Sequence, residues 1–411
     1  MTPALSTLPM KDSGMEWVGT IPLHWDVRPF YSFAAEVVSP NTGLKERNLL
    51  SLSYGQLVRK DMDRLEGLTP ASFEGYNIIE ANDIVFRLTD LQNDQRSLRS
   101  ARALERGIIT SAYVTVRPQT CPRFFEYLMR SYDTSKVFYG IGGGIRQSMK
   151  FADLKRLPVV VPPTSEMEEI ASYLDRATTR IDTLIAKKAH FIELLREKRQ
   201  ALITHAVTKG LDPNVPMKDS GVEWLGGVPE TWSTKRLRFV CDVTTGSRDT
   251  VNATEDGAYP FYVRSQDVAR IDTYAADCEA VLTAGDGAGV GKVYHYANGK
   301  FDFHQRVYMM HNFRHVRGKF FFHYLSSLFA AVALDGGAKS TVDSLRMPVF
   351  KNFQITIPSL EEQDQIIRFI EAKSSRIDNL IVKTDRSIEL LREHRTALIT
   401  AAVTGKIDLS S

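Results

Sequence analysis

Residues 165–208 read SEMEEIASYLDRATTRIDTLIAKKAHFIELLREKRQALITHAVT, and residues 359–404 read SLEEQDQIIRFIEAKSSRIDNLIVKTDRSIELLREHRTALITAAVT. Neither stretch contains Pro or Gly over roughly forty residues, a length at which a globular helix is normally broken, so each is expected to form one continuous helix. Ser165 with Glu168, and Ser359 with Glu362, have the Ser-x-x-Glu spacing of a capping box, in which hydroxyl and carboxylate each satisfy an orphan backbone N–H. Apolar residues recur at steps of four and three: Ile170, Leu174, Ala177, Ile181, Leu184, Phe191, Leu195 and Leu202, interrupted by Lys188 and Lys198. The second stretch repeats the pattern with Ile366, Ile370, Ile377, Leu380, Leu391 and Leu398, weakened by Lys373, Thr384, Ser387 and His394. This is the 3.5-residue period of a coiled-coil face. At 1.5 Å per residue each helix is ~65 Å long, more than an ordinary domain is wide. A pair packed together as a spacer therefore fits better than one long core helix in a single domain.

The chain is internally duplicated. MKDSGMEWVGTIPLHW at Met10 to Trp25 returns as MKDSGVEWLGGVPETW at Met217 to Trp232, an offset of 207 residues. RIDTLIAKK at Arg180 and LLREKRQALITHAVT at Leu194 return as RIDNLIVKT at Arg376 and LLREHRTALITAAVT at Leu390, now at an offset of 196. The order is box, variable segment, helix, twice over. Two copies of one unit usually pack about a pseudo-twofold axis, which predicts antiparallel helices with the variable segments at opposite ends. The tail VTGKIDLSS repeats the linker VTKGLD at Val207, so the two chain ends are expected close together.

The expected fold class is α+β, with two α+β recognition domains separated by the long antiparallel helices. The boundaries are a first box over 1–25, a variable domain over 26–163, a helix over 164–210, linker and second box over 211–232, a second variable domain over 233–358, and the second helix with its tail over 359–411. Strand-like runs (YVTVRP at Tyr113, VYHYANGKFDFHQRVYMMH at Val293, FQITIP at Phe353) alternate with turns and with the helical RFFEYLMRSY at Arg123. The segment ends GIRQSMKFADLKRLPVVVPP and STVDSLRMPVFKNFQITIPS align, whereas the interiors share almost nothing. Similar scaffolds with dissimilar interiors suggest one kind of job done on two different targets.

Composition excludes several classes of function. No apolar run approaches the roughly 18 residues of a membrane span, and MTPALSTLPMKDSG lacks the basic-then-apolar order of a signal peptide, so the expected location is cytoplasmic with no membrane partner. Cys121, Cys241 and Cys278 form neither a metal-ligand pair nor an even disulfide set. The glycine-rich AGDGAGVGKV at Ala284 fails as a phosphate loop, because Asp286 stands where a Gly is needed and Val293 where Ser or Thr would hold Mg²⁺; a tight turn between strands is expected. No nucleophile elbow is present and no metal-ligand spacing is found, so the chain reads as non-catalytic.

What remains is recognition. Net charge is only +3, and residues 26–158 carry 19 Lys plus Arg against 15 Asp plus Glu, which permits phosphate contacts without demanding them. LTDLQNDQRSLRSARALER at Leu88 combines Gln92, Asn93, Arg96, Arg99 and Arg102, side chains that bond phosphates and base edges; a solvated, charge-mixed surface reads equally well from composition. With Arg87, and with Arg146, Gln147 and Lys150 after a run of glycines, these are the first-half candidates for DNA binding. Arg264, Gln266, Lys292, His304, Gln305, Arg306 and Lys339 are their second-half counterparts. Ile185, Ile192, Ile381 and Ile388 lie outside the expected seam and, with Trp17 and Trp224 of the boxes, are the candidates for partner binding.

With boxes and helices in hand, the chain resembles the specificity subunit of type I restriction-modification systems. The duplicated box, LTDLQNDQ, GIRQSMKFADLKRLPVVVPP, EEQDQIIRFIE and the two LLRE…ALIT…AVT helix ends carry the resemblance over essentially the full length, although EEQ at Glu361 has only SEMEE as its first-half match. The resemblance implies a non-catalytic subunit. Each variable domain would read one half of a bipartite site in double-stranded DNA, and the helices would dock two modification (methyltransferase) subunits. It implies no cofactor in this chain: S-adenosylmethionine would sit on the modification subunits, and ATP and Mg on restriction subunits. Because the two interiors differ, an asymmetric DNA site is expected, with unread base pairs between half-sites one to two turns of B-DNA apart. A coiled-coil adaptor for proteins, or a specificity subunit of a methylation-only system, are the competing readings.

Overall fold

The structure, a computed structural model, describes residues 8–62, 72–91, 98–139, 148–334, 345 and 347–407. Its helices are α1 (Pro122–Thr134), α2 (Phe151–Leu154), α3 (Thr164–Lys209), α4 (Gly318–Leu334), α5 (Met347–Asn352) and α6 (Leu360–Val403). The two long ones are continuous over 46 and 44 residues. The chain divides into two compact units, residues 1–188 with 386–411 and residues 189–385, so each unit takes part of both long helices.

In the first unit the box forms a hairpin, Met10–Asp12 paired antiparallel with Thr20–Pro22. Gly14 and Gly19 sit at φ +73° and +71°, a left-handed conformation that explains glycine at both turn positions. The hairpin closes on the start of α3 through Trp25, whose buried indole Nε1 donates to Glu166 at 2.8 Å. Strand Asp26–Pro29 pairs with Pro158–Val161 at the other end of the variable segment, so that segment leaves and returns at one place. Between them an antiparallel sheet runs in the order Ala34–Glu36, Val114–Pro118, Ile84–Phe86, Ser100–Arg102. Helix α1 buries Phe124, Phe125, Leu128, Met129 and Tyr132 in the same core as Phe30, Ile84 and Phe86. Ile170, Leu174 and Ile181 of α3 and Leu398, Ile399, Ala402 and Val403 of α6 complete that core. Ile170 shares a cavity wall with Ala402, and further along α3 Asp182 takes both nitrogens of Arg395, at 2.9 and 3.2 Å. These two helix segments are therefore antiparallel. The described chain ends meet in this unit: Leu8 and Ile407 line one cavity, and Lys406 Nζ donates to the Val18 carbonyl at 2.8 Å.

The second unit has the corresponding parts. Met217–Asp219 pairs with Gly227–Pro229, Ser233–Arg236 pairs with Gln354–Ile357, and Trp232 donates to both oxygens of Glu362 at 3.1 Å. Arg199 of α3 reaches Asp378 of α6 at 2.5 Å, the counterpart of Arg395 with Asp182. Its sheet is larger, six strands in the order Asp242–Thr245, Val307–His311, Ala276–Ala284, Tyr294–Phe303, Tyr259–Tyr262, Ala269–Ile271. One pairing, Tyr259–Tyr262 with Tyr294–Phe303, is parallel. Helix α4 covers this sheet with Phe320, Phe321, Tyr324, Leu325 and Phe329.

Two sequence expectations are corrected. Helix α3 begins at Thr164, and the Glu168 carboxylate pairs with Arg123 at 2.6 Å rather than capping; at α6 Ser359 Oγ does accept from the Glu362 N–H at 3.2 Å, but the Glu362 carboxylate is taken by Trp232. The seam is also shifted. Burial on α3 falls on Leu174, Thr178, Ile181, Ile185, Lys188, Ile192, Leu195, Arg199, Leu202 and Ala206, and on α6 on the residues 196 positions later. One heptad position is as expected; the other lies one residue further on. Leu184 and Phe191, expected inside, are 42% and 45% exposed, whereas Ile192 and Ile388, expected outside, are 3% and 6% exposed. Ile185 and Ile381 are half-buried. Both registers carry similar numbers of apolar residues. The observed one also buries Thr178, whose hydroxyl donates to the Leu174 carbonyl at 2.6 Å, and places Arg199 and Arg395 on their aspartates.

Candidate nucleic-acid interface

The second unit collects its candidates around one carboxylate. Strand Ala276–Ala284 runs into the loop that carries Asp286, and a single 3-10 turn, Gly287–Gly289, returns the chain to strand Tyr294–Phe303. Gly289 lies flat against the Arg264 carbonyl, where an added Cβ would come within 2.6 Å. Asp286 is 8% exposed, and its two oxygens accept separately from Arg264 Nη1 at 2.9 Å and Arg306 Nη1 at 2.6 Å. Burial raises the Asp286 pKa, but the hydrogen bonds and charges of the two guanidiniums outweigh it and hold the group below the ordinary carboxylate range. The Arg306 side chain is 62% exposed and that of Arg264 44%. Beside them, Gln266 gives its amide N–H to the Lys292 carbonyl at 2.8 Å, and Gln305 gives its own to Asp249 Oδ2 at 2.7 Å. Gln266, Lys292 and Gln305 are all exposed.

His304 is corrected from surface candidate to support. It is 2% exposed and accepts the Arg306 backbone N–H on Nδ1 at 3.0 Å. Burial, with Arg264 nearby, lowers its pKa against the opposing pull of Asp249 and Asp286, which keeps the ring neutral near pH 7. Sequence reading passed over Asp286, Asp249 and Arg248. Asp286 was visible only as a disqualifying residue in a glycine loop, and its arginines are about twenty positions away on either side. Arg248 is bridged to His304 and lies 3.6 Å from the buried Asp302.

In the first unit the expected cluster separates. Arg99 is fully buried: Nε donates to Tyr139 Oη at 3.2 Å and Nη1 to the Thr89 carbonyl at 3.2 Å, so it is a core residue and not a surface contact. Arg102 is committed to Glu126 at 2.8 Å and Asn82 at 3.0 Å. Arg87 is half-buried, and Lys150 is exposed at the start of α2. Gln92, Asn93, Arg96, Arg146 and Gln147, like Lys339 of the second unit, lie outside the described residues. Among the described residues, Met149 N donates to the Leu88 carbonyl at 2.9 Å. The second unit has the same bond, Leu345 N to the Gly285 carbonyl at 2.9 Å, at the base of the Asp286 loop.

Of the partner-binding candidates, Trp224 is exposed and stacks on Phe353 at 5.3 Å, whereas Trp17 is half-buried against Tyr132. Among the described residues, the exposed large apolar residues of the long helices are Leu184 and Leu390 in the first unit and Phe191, Leu194, Leu360, Leu380 and Val382 in the second. Leu184 corresponds to Leu380 and Leu194 to Leu390, so each unit presents an equivalent leucine pair.

Residues 229–390 match the family described as the type I restriction modification DNA specificity domain. The type I restriction enzyme EcoDI specificity subunit of Escherichia coli is 27% identical over 182 residues, which is 44% of this chain and 40% of that protein. The putative type I restriction enzyme MjaX specificity subunit of Methanocaldococcus jannaschii is 24% identical over 303 residues, 70% of this chain and 68% of its own length. A solved structure described as the structural basis of complex assembly and conformational transition of the type I R-M system superposes with a TM-score of 0.71 at 16% identity, covering 94% of this chain and 99% of its own. The HsdS subunit from Thermoanaerobacter tengcongensis superposes at 0.53, also at 16% identity, over 94% and 98%. The mixed helix and strand fold is thus shared along nearly the whole chain, and residues 229–390 belong to the type I restriction modification DNA specificity domain family.

Proposed function

We propose that this chain is the non-catalytic DNA-recognition subunit of a type I restriction-modification complex, in which each unit reads one half of an asymmetric, bipartite site. The observation that carries the reading is the repeated scaffold with exchanged contents. Box hairpin, closing strand pair, Trp-to-Glu clasp and the loop-base bond recur in both units, while the sequence at that bond is LTDL at Leu88 in one and AGDGAGVGK at Ala284 in the other. A duplicated support holding two different polar loops suits two different half-sites. The long helices act as the spacer that leaves the base pairs between half-sites unread. The leucine pairs Leu184 with Leu390 and Leu380 with Leu194 supply two equivalent apolar surfaces for two modification subunits. In this reading methyl transfer from S-adenosylmethionine belongs to those subunits, and the ATP- and Mg-dependent steps to restriction subunits.

The test is to purify the chain with its modification subunits and titrate binding to duplex DNA against salt. A DNA reader loses affinity at about 0.9 log units per phosphate contact for each log unit of salt. A protein adaptor would show no DNA binding to titrate, and that result would end the proposal.

A further inference from the structure

We propose that Asp286 is the positioning residue of the half-site read by the second unit: it fixes Arg264 and Arg306 as a rigid fork aimed at the edge of a guanine rather than at the phosphate backbone. This rests on the DNA-reading function proposed above. Among the described residues each guanidinium is held through Nη1 alone, which leaves its other donors to bond O6 and N7 of guanine. Arginine side chains are long and flexible, so one carboxylate binding both removes much of the conformational freedom that recognition would otherwise have to freeze out.

The charge balance separates base from phosphate. A phosphate contact is strengthened by positive charge, and a carboxylate between two guanidiniums weakens it. A base-edge contact depends on direction, and a clamp improves direction at little cost. The flanking amides fit the same purpose. Each Nε2 gives one N–H, from Gln266 to the Lys292 carbonyl and from Gln305 to Asp249, which fixes the amide and leaves its carbonyl oxygen and second N–H to meet base edges. Two buried carboxylates, Asp286 and Asp302, thus lie behind exposed polar side chains, and the exposed Asp249 holds Gln305 from beside it.

The experiment maps DNA methylation in the host with the gene replaced by Asp286→Asn, Asp286→Glu or Arg306→Gln, and measures urea unfolding of each purified chain. The expected result is that Asp286→Asn relaxes discrimination at one or two guanine positions of a single half-site, on the order of ten-fold. Arg306→Gln relaxes one of the same positions, and Asp286→Glu, which restores a carboxylate, recovers part of the loss. A merely structural role would lower the urea midpoint without changing which bases are accepted. Unchanged selectivity in a folded Asp286→Asn chain overturns the inference, as does uniform weakening at every sequence or relaxation of both half-sites. If Asp286→Asn does not fold, Arg306→Gln decides: unchanged guanine discrimination overturns the inference. Exchanging residues 233–358 for those of a relative keeps the two proposals distinguishable. If the exchange leaves the methylated sequence untouched, the DNA-reading function fails; if it changes one half-site while the point variants change nothing, only the role of Asp286 fails.

Discussion

Trp25 and Glu166 lie 141 positions apart in the chain and are joined by a 2.8 Å hydrogen bond from the indole N–H to the carboxylate, which ties the first box to the start of α3. Trp232 and Glu362 repeat the clasp in the second unit. Removing either carboxylate leaves a buried indole donor unpaired, which costs about 1–3 kcal/mol. Glu166→Ala and Glu362→Ala should each lower the unfolding free energy by that amount, read as a lower urea midpoint at unchanged slope, and Trp232→Ala should cost about 3–5 kcal/mol through the cavity it leaves. Unchanged midpoints would show that the clasp is incidental.

Arg99 and Arg306 have the same side chain and opposite roles. Arg99 is enclosed and bonded to Tyr139 and the Thr89 carbonyl, so Arg99→Met should destabilise the first unit by about 2 kcal/mol or more. Arg306→Ala, which takes one of its two partners from the buried Asp286 carboxylate but leaves Arg264 in place, should cost less, about 1 kcal/mol. Urea unfolding of the two variants side by side checks both statements.

The helix seam makes a similar pair. Ile192→Asp or Ile388→Asp places a charge at a position 3% or 6% exposed and should destabilise the chain by several kcal/mol. Leu194→Asp and Leu390→Asp, at positions 46% and 49% exposed, should leave unfolding nearly unchanged and weaken co-purification of the modification subunits. Normal co-purification with both leucines replaced would show that another surface docks those subunits.

The seam also shows where sequence reading stops. The duplication, both long helices and the α+β character were legible because they rest on repeats and on residues excluded over long windows. The register was not, because Thr178, Arg199, Ser374 and Arg395 occupy seam positions and a count of apolar residues passes over them. In the candidate site, Arg264, Gln266, Lys292, Gln305 and Arg306 were identifiable by type and do come together. Arg99 was misplaced because an arginine buried by a tyrosine hydroxyl and backbone carbonyls looks the same in sequence as an exposed one. Asp286 escaped because the contacts that define it are made across the sheet.

His323 of α4 carries a pH prediction. Burial lowers its pKa from 6.5 to about 4, with Lys319 adding to the shift and Glu371 opposing it. The folded state therefore binds this proton less readily than the unfolded chain. Its contribution to stability is fully present above pH 6.5 and declines as pH falls towards about 4. The loss should be on the order of 2–3 kcal/mol, and His323→Gln should flatten the profile across that window. Urea midpoints of parent and variant between pH 7 and pH 4 test it; parallel profiles would count against a buried neutral imidazole.

The most direct measurement of the central claim is a genome-wide DNA methylation map of the host with this gene intact and with it deleted. The account predicts that deletion abolishes methylation at one split motif whose two halves differ in sequence and are separated by unread bases. Loss of methylation at a palindromic motif would contradict the reading of two different half-sites by two different units, and an unchanged map in a host whose modification subunits are expressed would contradict DNA recognition by this chain.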